Sequence, residues 1–259
     1  MSDLKYRDRE WLYRQFVVLG KDCPDIAKEN GWTTRVVQKW ANEKYGFNSN
    51  FRRDNYIPTQ KQLQVIYAGV LGDGCISQRK DIDFTQYIFT QCKEHREYIL
   101  WIYENLKTLC NHKELKCVPS CFKNFYGKNY VAQESYRLAT RGYHFLNEIK
   151  AMSKKDIMSK LDELGLALFF LDDGSKRDKI WDICMGNMNM DDTRYFVEIL
   201  AKFKIDAKRI YEHTNRNDNS KSYLYVYFDV ENSRKIDNII LRQVPNNIDI
   251  VKKKVGDVL

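Results

Sequence analysis

The chain has 259 residues, 43% of them hydrophobic and 30% charged, so a packed core is expected, in one large or two small domains. Lys and Arg outnumber Asp and Glu to give a net charge of +8 and a pI near 9.0, a balance that points to a polyanionic partner. No apolar run approaches membrane-spanning length, the opening MSDLKYRDRE lacks a signal-peptide core, and the 7 cysteines follow no regular framework, so the expectation is a soluble, intracellular protein with reduced thiols and no membrane partner, in the cytoplasm, nucleoid or an organelle matrix.

Residues 1–56 read as a separate helical unit. A first helix over 8–19 places Trp11, Leu12, Phe16 and Leu19 near helical spacing. Pro24 opens a short helix that contains Ile26 and Ala27 and breaks at Gly31. Thr33 or Thr34 caps the next one, whose inner side carries Val36, Val37 and Trp40. Two helices joined by a glycine turn resemble a helix-turn-helix. The outer face of the second helix carries Thr34, Arg35, Gln38 and Lys39, residue types suited to phosphates and base edges in a major groove. The polar stretch 47–58 reads as a linker, with Arg52 and Arg53 as candidate phosphate contacts.

Thr59 with Gln62 forms a capping-box pattern at the start of an apolar helix that ends IYAGVLGDG, residues 66–74. The pattern then changes to a hairpin over 75–79 and 83–91, and next to a helix over 93–110 with Tyr98, Ile99, Ile102, Leu106 and Leu109 on one side. A second hairpin over 115–122 and 130–140, with FYGKN near its turn, and a helix over 142–150 follow. Cys110, His112, Cys117 and Cys121 supply four zinc-type side chains, but their spacing does not match a paired Cys-x-x-Cys site and no structural zinc is expected.

The order then repeats. A second apolar helix starts near Asp162 and ends LALFFLDDG, residues 166–174. Strands near 179–187, a helix over 191–204, strands near 208–214 and 222–229 and a helix over 233–243 follow it. In YLYVYFDV the tyrosines Tyr223, Tyr225 and Tyr227 face one way while Leu224, Val226 and Phe228 face the other. Each copy is α-β-β-α-β-β-α. Both apolar helices stop at an acid followed by glycine, Asp73 and Asp173. An acid there opposes the helix dipole and is costly to bury unless something, such as a metal ion, uses its charge.

This pair of motifs resembles that of a single-chain, two-motif LAGLIDADG homing endonuclease, over roughly residues 59–259. The first motif fits well, since Ala68 and Gly72 are small, four apart and share one helix face. The second departs from the pattern with Leu168 and Asp172 at the equivalent places, which leaves open whether Asp172 or Asp173 points at a metal; the register before Gly174 favours Asp173. The resemblance implies an α+β fold with a pseudo-two-fold axis, here with a small all-α unit in front. The divisions are 1–56, a first repeat 57–155 and a second repeat 156–259.

It further implies a monomeric, intron-encoded nuclease that hydrolyses both strands of a long double-stranded DNA site. Asp73 and Asp173 would hold Mg²⁺, with Mn²⁺ able to substitute, and the backbone carbonyls of Gly72 and Asp172 could add ligands. Lys155, Lys254, Gln91 and Asn187 would order water around the metals. Exposed residues Arg79, Lys80, Lys123, Lys128, Arg137, Lys176, Arg177, Arg216 and Lys221 are candidate DNA contacts along the saddle formed by the strands. Two other functions share this scaffold by resemblance: an RNA maturase bound to its host intron RNA, and a catalytically silent DNA-binding regulator, against which the presence of both acids argues. The ends of the chain carry no splicing block, so the expectation is a free-standing reading frame.

Overall fold

A computed structural model describes residues 4–78, 84–110, 114–125, 128–214 and 222–256, without the side chains of 121–125 and 128–132. In the N-terminal unit Asp8 caps α1 (Arg9–Tyr13), accepting from the amides of Glu10 and Trp11 at 2.9 and 3.1 Å. The helix runs on in wider π-type turns over Arg14–Val18. These turns shift the register, so Val17 joins Leu12 and Phe16 in the core while Leu19, expected there, stays exposed. Helix α2 (Cys23–Asn30) stops at Gly31, whose φ of 69° is left-handed. Helix α3 (Thr34–Gln38) starts after Thr33, which makes no side-chain cap bond, and also continues in π-type turns over Lys39–Lys44. Val37 and Ala41 are buried, Val36 and Trp40 half-buried, and Arg35, Gln38 and Lys39 exposed.

The stretch expected to be a linker is instead a helix. Asn48 caps α4 (Ser49–Asn55) by accepting from the amide of Phe51 at 2.9 Å, and Phe47 is fully buried in the unit's own core. Arg52 is therefore not a phosphate contact. It is 3% exposed, donates to Asp22 Oδ1 at 3.0 Å and to the Lys21 carbonyl at 2.6 Å, and lies 3.9 Å from the centroid of the Phe16 ring. Arg53 is half-buried over the Phe84 ring, also at 3.9 Å. Asp22 is itself half exposed and keeps Arg141, so losing Arg52 strands no buried charge and removes charge-assisted hydrogen bonds, at a cost of about 1.5–3 kcal/mol. Arg52→Met is accordingly expected to speed hydrogen exchange in α1–α4 by roughly tenfold or more, leaving the amides of the motif helices unchanged.

In the first repeat the capping box forms as expected. Thr59 Oγ1 accepts from the Gln62 amide at 3.2 Å and Gln62 Oε1 accepts from the Thr59 amide at 3.0 Å, opening α5 (Gln60–Leu71). Strands β1 (Gly74–Gln78) and β2 (Thr85–Cys92) form an antiparallel hairpin. Helix α6 (Arg96–Leu106) buries Tyr98, Ile99, Ile102 and Leu106. The second hairpin is present but broken. β3 (Lys116–Val118) and β6 (Ser135–Ala139) pair in a sheet of order β1-β2-β6-β3, while β4 (Cys121–Phe125) and β5 (Lys128–Ala132) form a separate ribbon beyond it. Helices α7 (His144–Ala151) and α8 (Lys154–Ser159) close the repeat, so a boundary between 155 and 156 falls inside α8.

The second repeat has the same order: α9 (Glu163–Asp173), β7 (Gly174–Arg177), β8 (Ile180–Cys184), α10 (Met190–Leu200), β9 (Arg209–Thr214), β10 (Ser222–Tyr227), α11 (Val230–Gln243) and α12 (Asp249–Val255). Its sheet order is β7-β8-β10-β9. The α+β, pseudo-two-fold fold is thus the one expected, each repeat gaining a short closing helix, α8 or α12. On β10 and just beyond it Val226 and Phe228 are buried and the three tyrosines half-buried, while Leu224, expected on the inner face, is also half-buried. One continuous core spans both repeats. No helix among the described residues is long and apolar enough to cross a membrane.

Helices α5 and α9 form the seam and run in the same direction. At their starts the fully buried Gln64 donates to the Lys160 carbonyl at 2.8 Å and accepts from the Asp162 amide at 2.9 Å. At their ends Gly72 lies against Asp172 and Asp173. A parallel pair places both motif acids at one end of the seam.

Candidate active site

The site is built where the two motif helices end. Gly72 leaves α5, and a Cβ there would sit 2.8 Å from the Asp172 Cβ and 2.9 Å from the Asp173 Oδ2, so the small residue is what lets the acids approach. Asp73 follows in the turn and is exposed; Gln91 on β2 donates to its Oδ2 at 2.6 Å. Asp172, in the last turn of α9, accepts from the Tyr98 hydroxyl at 2.7 Å. Lys254 on α12 places its ammonium at the end of α9, donating to the carbonyls of Leu171 at 2.5 Å, Gly174 at 2.7 Å and Asp172 at 3.4 Å. Lys252 and Lys253 are exposed, so of the three lysines it is Lys254 that packs against the end of α9.

Electrostatics follow from this crowding. Burial pushes the Asp172 carboxyl well above the usual carboxylate range and the charge of Asp73 adds to it, while the Tyr98 hydrogen bond opposes both. Burial and then Asp73 push Asp173 up to about 7, against the pull of Lys254. Burial lowers the Lys254 ammonium and the three carboxylates hold it up. Asp172 accepts from a dedicated phenol partner and is pushed further towards its neutral form than Asp173. Asp73 and Asp173 lie close enough at this end of the seam for the charge of one to raise the other.

Would this set suit a divalent cation? Burial and then the charge of Asp73 raise Asp172 and Asp173, and a bound dication would offset that charge. Mg²⁺ is typically held by one or two carboxylates, with waters and phosphate oxygens completing its shell. Among the described residues no group of three or more His, Cys, Asp and Glu side chains forms a metal cage, so a metal here would rest on the two motif acids. Cys110 is buried, donates to the Leu106 carbonyl at 3.4 Å, and burial pushes its thiol up to about 12.

Four expected residues are elsewhere. Lys155 pairs with Asp191 at the start of α10 and lies 5.6 Å from the Tyr195 ring centroid; its partners are in α10, not among the acids. Asn187 is exposed in a turn beyond β8. Gly74 pairs with Phe89 and Gly174 with Ile183, so the counterpart of Gln91 is Met185, two residues earlier than Asn187, and it is buried. Lys176 is not a free phosphate contact: it is clamped by Asp237 at 2.8 and 2.9 Å and by the Val255 carbonyl at 3.3 Å. Arg52 is buried, as described above.

Arg137 on β6 and Arg177 on β7 are exposed. Arg79, Lys80, His112, Arg216 and Lys221 lie outside the described residues, as do the side chains of Cys121, Lys123 and Lys128. Helix spacing alone makes Tyr98 a plain core residue. Its signal was a phenol on an apolar helix face, since a buried tyrosine hydroxyl needs a partner.

The sequence profile of the LAGLIDADG DNA endonuclease family matches residues 63–236. Cytochrome b mRNA maturase bI2 of Debaryomyces hansenii is 25% identical over 175 residues, 64% of this chain, which spans only about 64% of the length of that relative. In fold the chain is similar to the homing endonuclease I-WcaI bound to its DNA recognition sequence, with a TM-score of 0.60 at 16% identity over 78% of this chain and 88% of that one. It is less similar to I-DmoI in complex with DNA and Ca, with a TM-score of 0.41 at 12% identity over 71% and 91% of the two chains.

Proposed function

The chain belongs to the LAGLIDADG DNA endonuclease family, and from that premise we propose that it is a metal-dependent homing endonuclease acting on both strands of a long DNA site. The observation that carries this reading is the convergence of Asp73 and Asp173 at one end of a parallel helix pair, each leading into its own sheet. One chain supplies both acids, which suits a monomer making one cut per strand.

In this reading Asp73 and Asp173 hold Mg²⁺ or Mn²⁺, and the carbonyls of Gly72 and Asp172 are within the same cluster. When bound, such an ion neutralises charge on the scissile phosphate and lowers the pKa of an attacking water. Gln91 fixes the rotamer of Asp73 by its 2.6 Å hydrogen bond. Lys254 neutralises the carbonyl end of α9, where three carboxylates crowd, and offsets charge that develops on the departing oxygen. Exposed Arg137 and Arg177, one from each sheet, are placed to meet phosphates on either side.

Purified protein is expected to linearise a plasmid carrying its target in Mg²⁺ or Mn²⁺, to bind the target without cutting in Ca²⁺, and to stop cutting in excess EDTA. Undiminished cutting in chelator would refute the metal-dependent mechanism. The similarity to a maturase favours one second reading, assistance to the splicing of a host intron RNA. It predicts that the protein binds and folds its intron transcript in Mg²⁺, and that Asp73→Asn leaves this untouched.

A further inference from the structure

We propose that the N-terminal unit is a second reader of duplex DNA, fixed to the first repeat so that it extends the recognised site on one flank only. The unit has its own buried core, including Leu12, Phe16, Val37 and Phe47, and so presents its surface residues on a folded frame. Its second helix spans 34–44 if the π-type turns are counted with α3. At no more than about 1.5 Å per residue that is at most about 16 Å, and a helix about 10–12 Å across fits a major groove about 12 Å wide.

One side of this helix, Val37 and Ala41, is sealed in the core; the other presents Arg35, Gln38 and Lys39 to solvent. Exposed Arg7 lies beside it, 5.5 Å from the centroid of the Trp40 ring on the same helix. A glutamine between cations is the chemistry of a helix that grips phosphates and reads a base edge.

Docking leaves that face open. Arg141 of the first repeat donates to the Gly20 carbonyl and to Asp22 Oδ2, both at 3.0 Å, while Asp22 Oδ1 holds Arg52 at 3.0 Å. Asp54 on α4 pairs with His144 at 3.0 Å. A Cβ at Gly20 would overlap the Thr108 carbonyl, so the backbones touch there. Every one of these contacts is with the first repeat, and none comes from α3. The pseudo-symmetric core thus carries a one-sided, clamped appendage with an outward polar helix.

The test is selection of duplexes from a randomised library by the full chain in Ca²⁺, which measures binding without cutting. The wild type is expected to recover a core block plus a separate short block on one side. The variant Arg35→Ala/Gln38→Ala/Lys39→Ala, altered only at exposed positions, is expected to lose that outer block alone and to bind the selected duplex at least tenfold more weakly. Its log–log salt slope should fall by about 2, near 0.9 for each lost phosphate contact. Gln38→Ala alone should relax the base preference within the block and keep the salt slope. An identical consensus and slope in the triple variant overturns the proposal, as does an equal loss on both flanks. Failure of the wild type to select any duplex would overturn the endonuclease reading as well, so the two failures are distinguishable.

Discussion

Asp73→Asn and Asp173→Asn are each expected to lose double-strand cleavage by about a thousandfold or more, with target affinity in Ca²⁺ kept within a few-fold. An amide keeps the shape of the side chain but removes the charge that holds a hard cation, and a metal-centred site contributes several kcal/mol to the transition state. Asp172→Asn is expected to keep most of the cleavage. Its Oδ1 can still accept from Tyr98 as it does at 2.7 Å in the native chain, and the native carboxyl is already pushed towards its neutral form. Plasmid assays that separate nicked from linear product decide the matter. A dead Asp172→Asn beside an active Asp173→Asn would exchange the roles of the two acids. Full linearisation by Asp73→Asn would refute the site. Nicking by either ligand variant would show that the two halves act independently, an outcome the structure favours because they are not alike: Asp73 has Gln91 as a strand-borne partner, whereas the equivalent strand position beside Asp173 is the buried Met185.

What was legible in the sequence was what local periodicity and local hydrogen bonding determine. The Thr59–Gln62 capping box, the two apolar helices ending at Asp-Gly and the repeat of strand and helix order all depend on residues a few positions apart. The misreadings share another cause. Arg52 looked like a linker cation because its partners are Asp22, Lys21 and Phe16, all some 30 positions away; the cap at Asn48 and the aromatic Phe47 and Phe51 were the local signs of a helix. Lys176 reads as an exposed DNA contact for the same reason, since its partner Asp237 lies in α11, 61 positions away. Asn187 sits at the end of the strand expected over 179–187, but β8 ends at Cys184, and pairing to β7 makes Met185 the counterpart of Gln91. Lys254 could be proposed among three lysines, but only the packing of α12 against α9 distinguishes it from its neighbours. Tyr98 and Asp172 meet across the seam, one from each repeat, where single-sequence spacing has nothing to say.

Crowding of acids at the seam also makes stability depend on pH in the sense opposite to most paired carboxylates. Asp173 has its pKa raised to about 7 in the folded, metal-free chain, against an unfolded value near 3.8. The folded state therefore binds more protons between these values, and stability falls as pH rises through that window, reaching its full cost above about 7. A shift of that size corresponds to about 2–4 kcal/mol, the lower figure allowing for the partial exposure of the side chain. In EDTA at pH 8, Asp173→Asn should melt higher than the wild type by about 5 °C or more. The gap should shrink by more than half at pH 5, where the native carboxyl is already protonated. Adding Mg²⁺ at pH 8 should raise the wild-type melting temperature by relieving the same repulsion, and should do much less for Asp173→Asn. Calorimetry at the two pH values with and without the ion checks all three arms. Equal melting temperatures for wild type and variant at pH 8 in chelator would mean that Asp173 is solvated and does not share a crowded site with Asp73. A wild type stabilised by raising the pH from 5 to 8 in chelator would mean that other carboxylates, paired rather than crowded, dominate the balance. The variant's own pH profile would separate that case, because it lacks the raised group and should follow the paired carboxylates alone.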